Sequence, residues 1–301
     1  MYALWQDVLR LVKVDFEATP KFGGKLLRPA MCLLSAGAAG LENPRRFVPL
    51  AAAYEALHVA SLAHDDVIDR ALLRRGGVSL NALWNDHAAV LAGDYLVARA
   101  IELMGEYDSC RLILDGLATI RQMAEGELHF FGRDQDLVTE ADCLLLAESK
   151  TASLFAVACA ASAKLEGLGV AEDLGRFGLN LGVAFQIVDD LLDVTQSADS
   201  LGKPSCGDVA EGKQTIPLLY LREALDAEGR AQLKALQNKE LSESDCAWVI
   251  DGMIKTGARE RTATRAREFG KSALLELGRL PDNAYRDSLE QLVEFVLVRI
   301  S

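Results

Sequence analysis

Apolar residues recur at three- and four-residue steps along most of this chain, the pattern of helices that each bury one face. Over residues 45–70 the stripe runs through Val48, Ala52, Leu57, Ser61 or Leu62, and Ile68, and Asn43-Pro44 supplies a cap followed by proline at the first helical position. The same periodicity predicts helices over 87–105, 109–131, 141–165 and 172–194, with Thr139 and Asp142 arranged as a cap before the fourth. A loop is expected over 196–212. Further helical segments follow to residue 300, with caps expected at Ser242 and Asp282. Neither an alternating strand pattern nor a repeat is visible. An all-α bundle of antiparallel helices, one domain over residues 1–301, is the simplest architecture.

Composition agrees with long helices. Half of the 301 residues are apolar, enough for a sizeable core, and no proline falls between Pro49 and Pro204. The formal charge of -12 excludes nucleic acid as the expected partner, because neutralising phosphates takes a surplus of Lys and Arg. The six cysteines form no close pair that reads as a zinc or redox motif, so reduced, buried thiols are expected. Asp7 and Arg10 interrupt the first apolar stretch, and the chain is expected to be cytoplasmic.

The chemistry lies in two aspartate clusters, Asp65-Asp66-Val67-Ile68-Asp69 and Asp189-Asp190-Leu191-Leu192-Asp193. Four residues apart on a helix, Asp65 and Asp69 stand one above the other and can share hard cations, while Asp66 points about 100° away. Asp189 and Asp193 repeat the spacing. One such cluster is as often a solvated helix end as a site. Two of them at the ends of strongly apolar helices would bracket a cavity. Carboxylates at this density repel one another unless metal or Lys/Arg compensates, and oxygen-only ligands favour magnesium over zinc. Basic residues stand where a diphosphate would need them: Lys25 and Arg28 in GGKLLRP, Arg74-Arg75-Gly76, Lys150-Thr151, Gly202-Lys203 and Gly212-Lys213. Glycines allow close backbone approach and guanidinium groups grip phosphate oxygens bidentately. Any one of these pairs alone is more often a solvated charge or a partner of a helix C-terminus.

Taken together and in order, the segments GGKLLRP, EALHVASLAHDDVID, LLRRG, AVLAGDYL, EGEL, SKTASLF, FQIVDDLLD and LGKPSCGDVAEGKQTIPL resemble the trans-type prenyl diphosphate synthases, in particular their long-chain, octaprenyl-like branch. The resemblance implies a helical bundle of the isoprenoid synthase type around a deep central cavity. It implies magnesium held by Asp65 and Asp69 on one side and Asp189 on the other, three ions in all with bound diphosphate, with Asp66, Asp190 and Asp193 supporting. Lys25, Arg28, His58 and Arg75 would hold isopentenyl diphosphate. Arg74, Lys150, Thr151, Gln186, Lys203 and Lys213 would grip the allylic diphosphate. His58 precedes Asp65 by two turns on the same face, which suits a ligand role. The resemblance also implies a homodimer whose product is handed to membrane enzymes. Where the family usually places Gln or Asp after EGEL, this chain has His129, Phe130 and Phe131.

Product length should depend on what lines the helix below the first aspartates. Ala60 and Ser61 lie about 6 to 7 Å below Asp65 and are small, where bulky aromatics would close the pocket early. A long product, heptaprenyl to decaprenyl with octaprenyl the single expectation, follows; Gly116, Ile120 and Met123 are candidates for the floor. Geranylgeranyl or farnesyl diphosphate synthesis is the enzymatic alternative. A catalytically silent partner subunit of a heteromeric synthase is the alternative of another class, opposed by both aspartate clusters. A class I terpene cyclase would not need Lys25, Arg28, His58 and Arg75.

Overall fold

A computed structural model describes residues 4, 6–8, 11, 25–74, 77–131, 135–195 and 206–300. The main helices are α1 (Leu27–Ala38), α2 (Val48–Ile68), α3 (Asp86–Gly105), α4 (Cys110–Phe130), α5 (Glu140–Ala147), α6 (Ser153–Leu165) and α7 (Ala171–Asp193). After them come α8 (Ile216–Ala224), α9 (Ala227–Ala235), α10 (Glu243–Lys255), α11 (Ala258–Leu277) and α12 (Ala284–Val298). The all-α expectation holds.

Two apolar clusters fill the bundle. One joins α6, α7, α8, α10, α11 and α12 through residues such as Phe155, Phe177, Leu181, Ile187, Leu219, Val249 and Val293. The other joins α1, α2, α3, α4 and α6 through Cys32, Tyr54, Ala60, Leu96, Leu112 and Leu154. Helix α6 serves both, because Leu154 and Ala158 face one cluster while Phe155 and Cys159 face the other. A helix apolar all round belongs in a protein centre. The run Glu140–Leu165 is also long and apolar enough to cross a membrane, but 61% of its most apolar window is buried inside the bundle, as a central core helix would be.

Four local expectations are corrected. Pro44 opens a 3-10 turn, Pro44–Phe47, and the α-helix begins at Val48. Pro49 explains this: lacking an N–H it cannot donate to the carbonyl of Arg45, which instead accepts from Val48 in the tighter 3-10 manner. The cap of α12 is Asn283, whose side chain accepts from the amides of Tyr285 and Arg286, while Asp282 pairs with the Arg286 side chain. Leu73–Arg74 and Gly77–Val78 form a two-residue antiparallel pair, too short to show as alternation in sequence. The helix expected over 141–165 is broken by a π-helical turn at Glu148–Ala152. Its cap is as expected, a reciprocal box of Thr139 and Asp142.

Candidate active site

The π turn positions the site. Widening the helix by one residue at Glu148–Ala152 aims Lys150 at α2 and Thr151 at α7. Lys150 Nζ lies 3.3 Å from Asp65 Oδ2 and 2.5 Å from Glu127 Oε1 of α4. Thr151 Oγ1 donates to Gln186 Oε1 at 2.6 Å, and Gln186 Nε2 donates to Asp190 Oδ1 at 2.7 Å. A continuous polar path therefore runs from the first aspartate cluster through Lys150-Thr151 to the second. On the far side Lys213 Nζ reaches Asp69 Oδ2 at 3.0 Å and Glu211 Oε2 at 2.5 Å.

Glycine makes the approach of these elements possible. A Cβ on Gly182 of α7 would sit 2.5 Å from the Cα of Ala152 in the π turn, so only glycine lets α7 come this close to Thr151. Gly93, in the AVLAGDYL segment of α3, plays the same part against α2, where a Cβ would lie 2.3 Å from the ring of His64, the neighbour of Asp65. That ring contacts Val90 O at 3.2 Å and Asp94 Oδ1 at 3.3 Å.

Burial, followed by the charges of Glu127 and Asp69, raises the Asp65 carboxyl above its ordinary value despite Lys150. Asp190 is raised well above its ordinary value, first by burial and then by Asp208, Asp189 and Asp193. For Lys150 and Lys213 burial acts downward, but neighbouring carboxylates outweigh it and hold both ammonium groups charged. The site therefore holds more negative charge than its own lysines neutralise. Oxygen-only donors with like-charge strain suit a hard divalent cation, the chemistry expected of Asp65, Asp69 and Asp189. Among the described residues, no three metal-ligating side chains already converge into a cage; each of these three aspartates leans instead on a basic group.

The remaining expected residues fall as follows. Asp66 is buried at 3% exposure, and its carbonyl accepts from Asn81 Nδ2 and the Ala71 amide, fixing the end of α2. Asp193, also buried, accepts from the Asp208 amide at 2.9 Å, tying α7 to the segment that carries Lys213. Lys25 lies 5.5 Å from the Phe295 ring centroid and Arg28 lies 4.8 Å from that of Phe155. His58 is half-buried on α2, and its carbonyl accepts from Ser61 Oγ at 2.8 Å. Ala60 is buried in the α2–α3–α4–α6 cluster and Ser61 is half-buried. Gly116 is buried, Ile120 packs against the same cluster, and Met123 is half-buried. Arg75 and Lys203 lie outside the described residues, as do the glycines before Lys25. Arg74 is described only as backbone of the strand pair.

Two participants were not anticipated. Glu127 was visible within EGEL, but nothing local showed that it meets Lys150. Arg299 donates from Nη2 to Asp189 Oδ1 at 3.1 Å, across 110 residues of sequence. His129 lies 3.5 Å from Asp142 Oδ1 and packs edge-on to Phe130, which is partly buried, while Phe131 is exposed. Of the residues that replace the usual polar pair after EGEL, Phe130 alone packs against the core. A small, partly open cleft lined by Asp136, Gln214, Leu218, Arg222 and Lys234 shares no residue with either aspartate cluster.

Comparison with known proteins identifies the family. The profile of the polyprenyl synthetase family matches residues 11–253. The chain is 38% identical to an all-trans-nonaprenyl-diphosphate synthase (geranyl-diphosphate specific) of Rhodobacter capsulatus over 98% of both chains. It is 34% identical to the octaprenyl diphosphate synthase of Escherichia coli over 92% of this chain and 86% of that one. Among solved structures, a polyprenyl synthase from Caulobacter crescentus, complexed with calcium and isoprenyl diphosphate, superposes with a TM-score of 0.88. It is 36% identical and the match covers 100% of this chain and 96% of that one.

Proposed function

The chain belongs to the polyprenyl synthetase family, and from that premise we infer that it is a trans-prenyltransferase making a long-chain polyprenyl diphosphate. It condenses isopentenyl diphosphate with an allylic diphosphate, farnesyl or geranylgeranyl diphosphate, and octaprenyl diphosphate is the product we assign. The observation that carries the reading is the polar path Asp65–Lys150–Thr151–Gln186–Asp190, which links two carboxylate clusters through one ammonium group and one hydroxyl. Relatives that make nonaprenyl and octaprenyl chains support the length.

Bound magnesium, three ions in our reading, would supply positive charge against the diphosphate. Asp65, Asp69 and Asp189 would hold it. The rest is the work of the chain itself. Lys150 and Lys213 take up charge on the leaving oxygens, and both are kept protonated by the carboxylates beside them. Gln186 and Thr151 orient Asp190 and the π turn. Lys25, Arg28 and His58 would bind isopentenyl diphosphate, a task also assigned to Arg75, and Arg74 and Lys203 are assigned to the allylic diphosphate. The apolar walls of the α2–α3–α4–α6 cluster exclude water from the allylic cation and receive the growing tail.

Residues 1–301 act as one catalytic domain in this reading, since α6 contributes to both apolar clusters. Exposed Val90, Leu91, Leu114, Leu117 and Leu128 on α3 and α4 support a homodimer through that face. The enzyme works in the cytoplasm and passes its product to membrane enzymes. The deciding experiment incubates purified protein with magnesium, radiolabelled isopentenyl diphosphate and farnesyl diphosphate, and sizes the products. Chains from heptaprenyl to decaprenyl are expected. Arrest at geranylgeranyl would replace this reading with the short-chain one, and absence of condensation with any primer would favour a silent subunit.

A further inference from the structure

Asp65, Asp69 and Asp189, the three aspartates assigned to metal, each carry a basic partner: Lys150, Lys213 and Arg299. Both lysines already have a part in gripping diphosphate. Arg299 has none, and it follows the last turn of α12, far from every motif. Its guanidinium centre lies 5.8 Å from the ring centroid of Phe185, one turn before Asp189 on α7. Nη2 takes Asp189 Oδ1 at 3.1 Å, while Nη1 is buried with no hydrogen-bond partner among the described residues. The arginine side chain is 22% exposed and the carboxylate 52%. So the aspartate is open to solvent ions while the arginine is held in place from behind.

A guanidinium and a divalent cation compete for the charge of the Asp189 carboxylate, and the guanidinium already holds its Oδ1. Without either, Asp189 would add its full charge beside Asp190, on which Asp208 and Asp193 already bear. We propose that Arg299 is the resident counterion of Asp189: it neutralises the second aspartate cluster in the metal-free enzyme, must be displaced by the incoming cation, and thereby sets the metal threshold of that cluster. Displacement removes the hydrogen bond that ties the turn after α12 to α7, so metal loading loosens the end of the bundle. This inference rests on the synthase reading and adds to it a residue that acts on the metal rather than on substrate.

The test uses full-length protein without substrate, so that turnover plays no part. Manganese binding is followed by the electron paramagnetic resonance of the free ion, and hydrogen exchange is followed in the peptide spanning residues 293–300. Loss of a partly exposed ion pair predicts about threefold tighter manganese binding in Arg299→Gln. Arg299→Met keeps the contact with Phe185 and carries the same expectation should the Gln variant fold poorly; Arg299→Lys, which still neutralises Asp189, should bind like wild type. Manganese should speed exchange in the wild-type peptide and leave the already fast exchange of the Gln and Met variants unchanged. Wild-type affinity in both Gln and Met variants, in an enzyme that binds manganese and condenses substrates, overturns the counterion role alone. A wild-type protein that neither binds manganese nor condenses overturns the synthase reading and this inference together.

Discussion

Lys150 is placed where a single charge answers to two others. Burial acts to discharge it, but Asp65 and Glu127 hold it protonated, and it already sits where a departing diphosphate would need a donor. A group that meets charge as it develops acts on turnover more than on binding. Lys150→Gln is therefore expected to lower kcat by about 100- to 1,000-fold, with a much smaller change in KM for isopentenyl diphosphate. Steady-state kinetics at saturating magnesium decide it; an unchanged kcat with a raised KM would reduce Lys150 to a binding residue. The aspartates could be read from sequence because their spacing carries the chemistry, and this lysine because the SKTASLF segment carries the family resemblance. Glu127 and Arg299 could not, since each meets its partner only after distant helices pack.

Helices were legible for a similar reason and illegible where that reason stops. Periodicity located α2, α3, α4 and α7 to within a few residues, because each buries one continuous stripe. It ran straight across Glu148–Ala152, since a π turn adds one residue without removing apolar character, and that turn is what aims Lys150 and Thr151. The contact that holds α7 against it depends on Gly182. In Gly182→Ala the new methyl would meet Ala152 backbone at 2.5 Å, and backbone cannot yield as a side chain tip can. Overpacking of this kind costs about 1 to 3 kcal/mol, more than the gain of up to about 1 kcal/mol from replacing a helical glycine by alanine. The variant should lose stability in urea denaturation and lose activity as Gln186 moves off Thr151. Gly175→Ala on the same helix, where the nearest atom is an ordinary 3.6 Å away, should instead be neutral or stabilising. Equal losses in both would mean that close approach at Gly182 is not what positions the path.

At the scale of the molecule, the contact between α2 and α3 below Asp65 is rich in small side chains. Ala53, Ala56, Ala60 and Ala63 of α2 and Ala89, Ala92 and Ala100 of α3 are all buried in one cluster. Where helices meet through alanine, little side-chain bulk stands between them, so a growing apolar tail that entered there would displace mostly methyl contacts. Ala60 and Ser61 are then unequal controls on length. Ala60 is 1% exposed, so Ala60→Phe must force the cluster apart at a cost of about 1 to 3 kcal/mol. Ser61 is half-buried, and its Cβ stands one turn, about 6 Å, below Asp65 and within about 40° of it around the helix. Ser61→Phe therefore reaches toward the path of the tail without disturbing the core. Both variants are expected to shorten the product, Ser61→Phe with an unchanged melting temperature and retained condensation. Thin-layer sizing of dephosphorylated products decides it: a wild-type length distribution in both would mean that the tail does not pass this face of α2, and the small residues there would be packing alone.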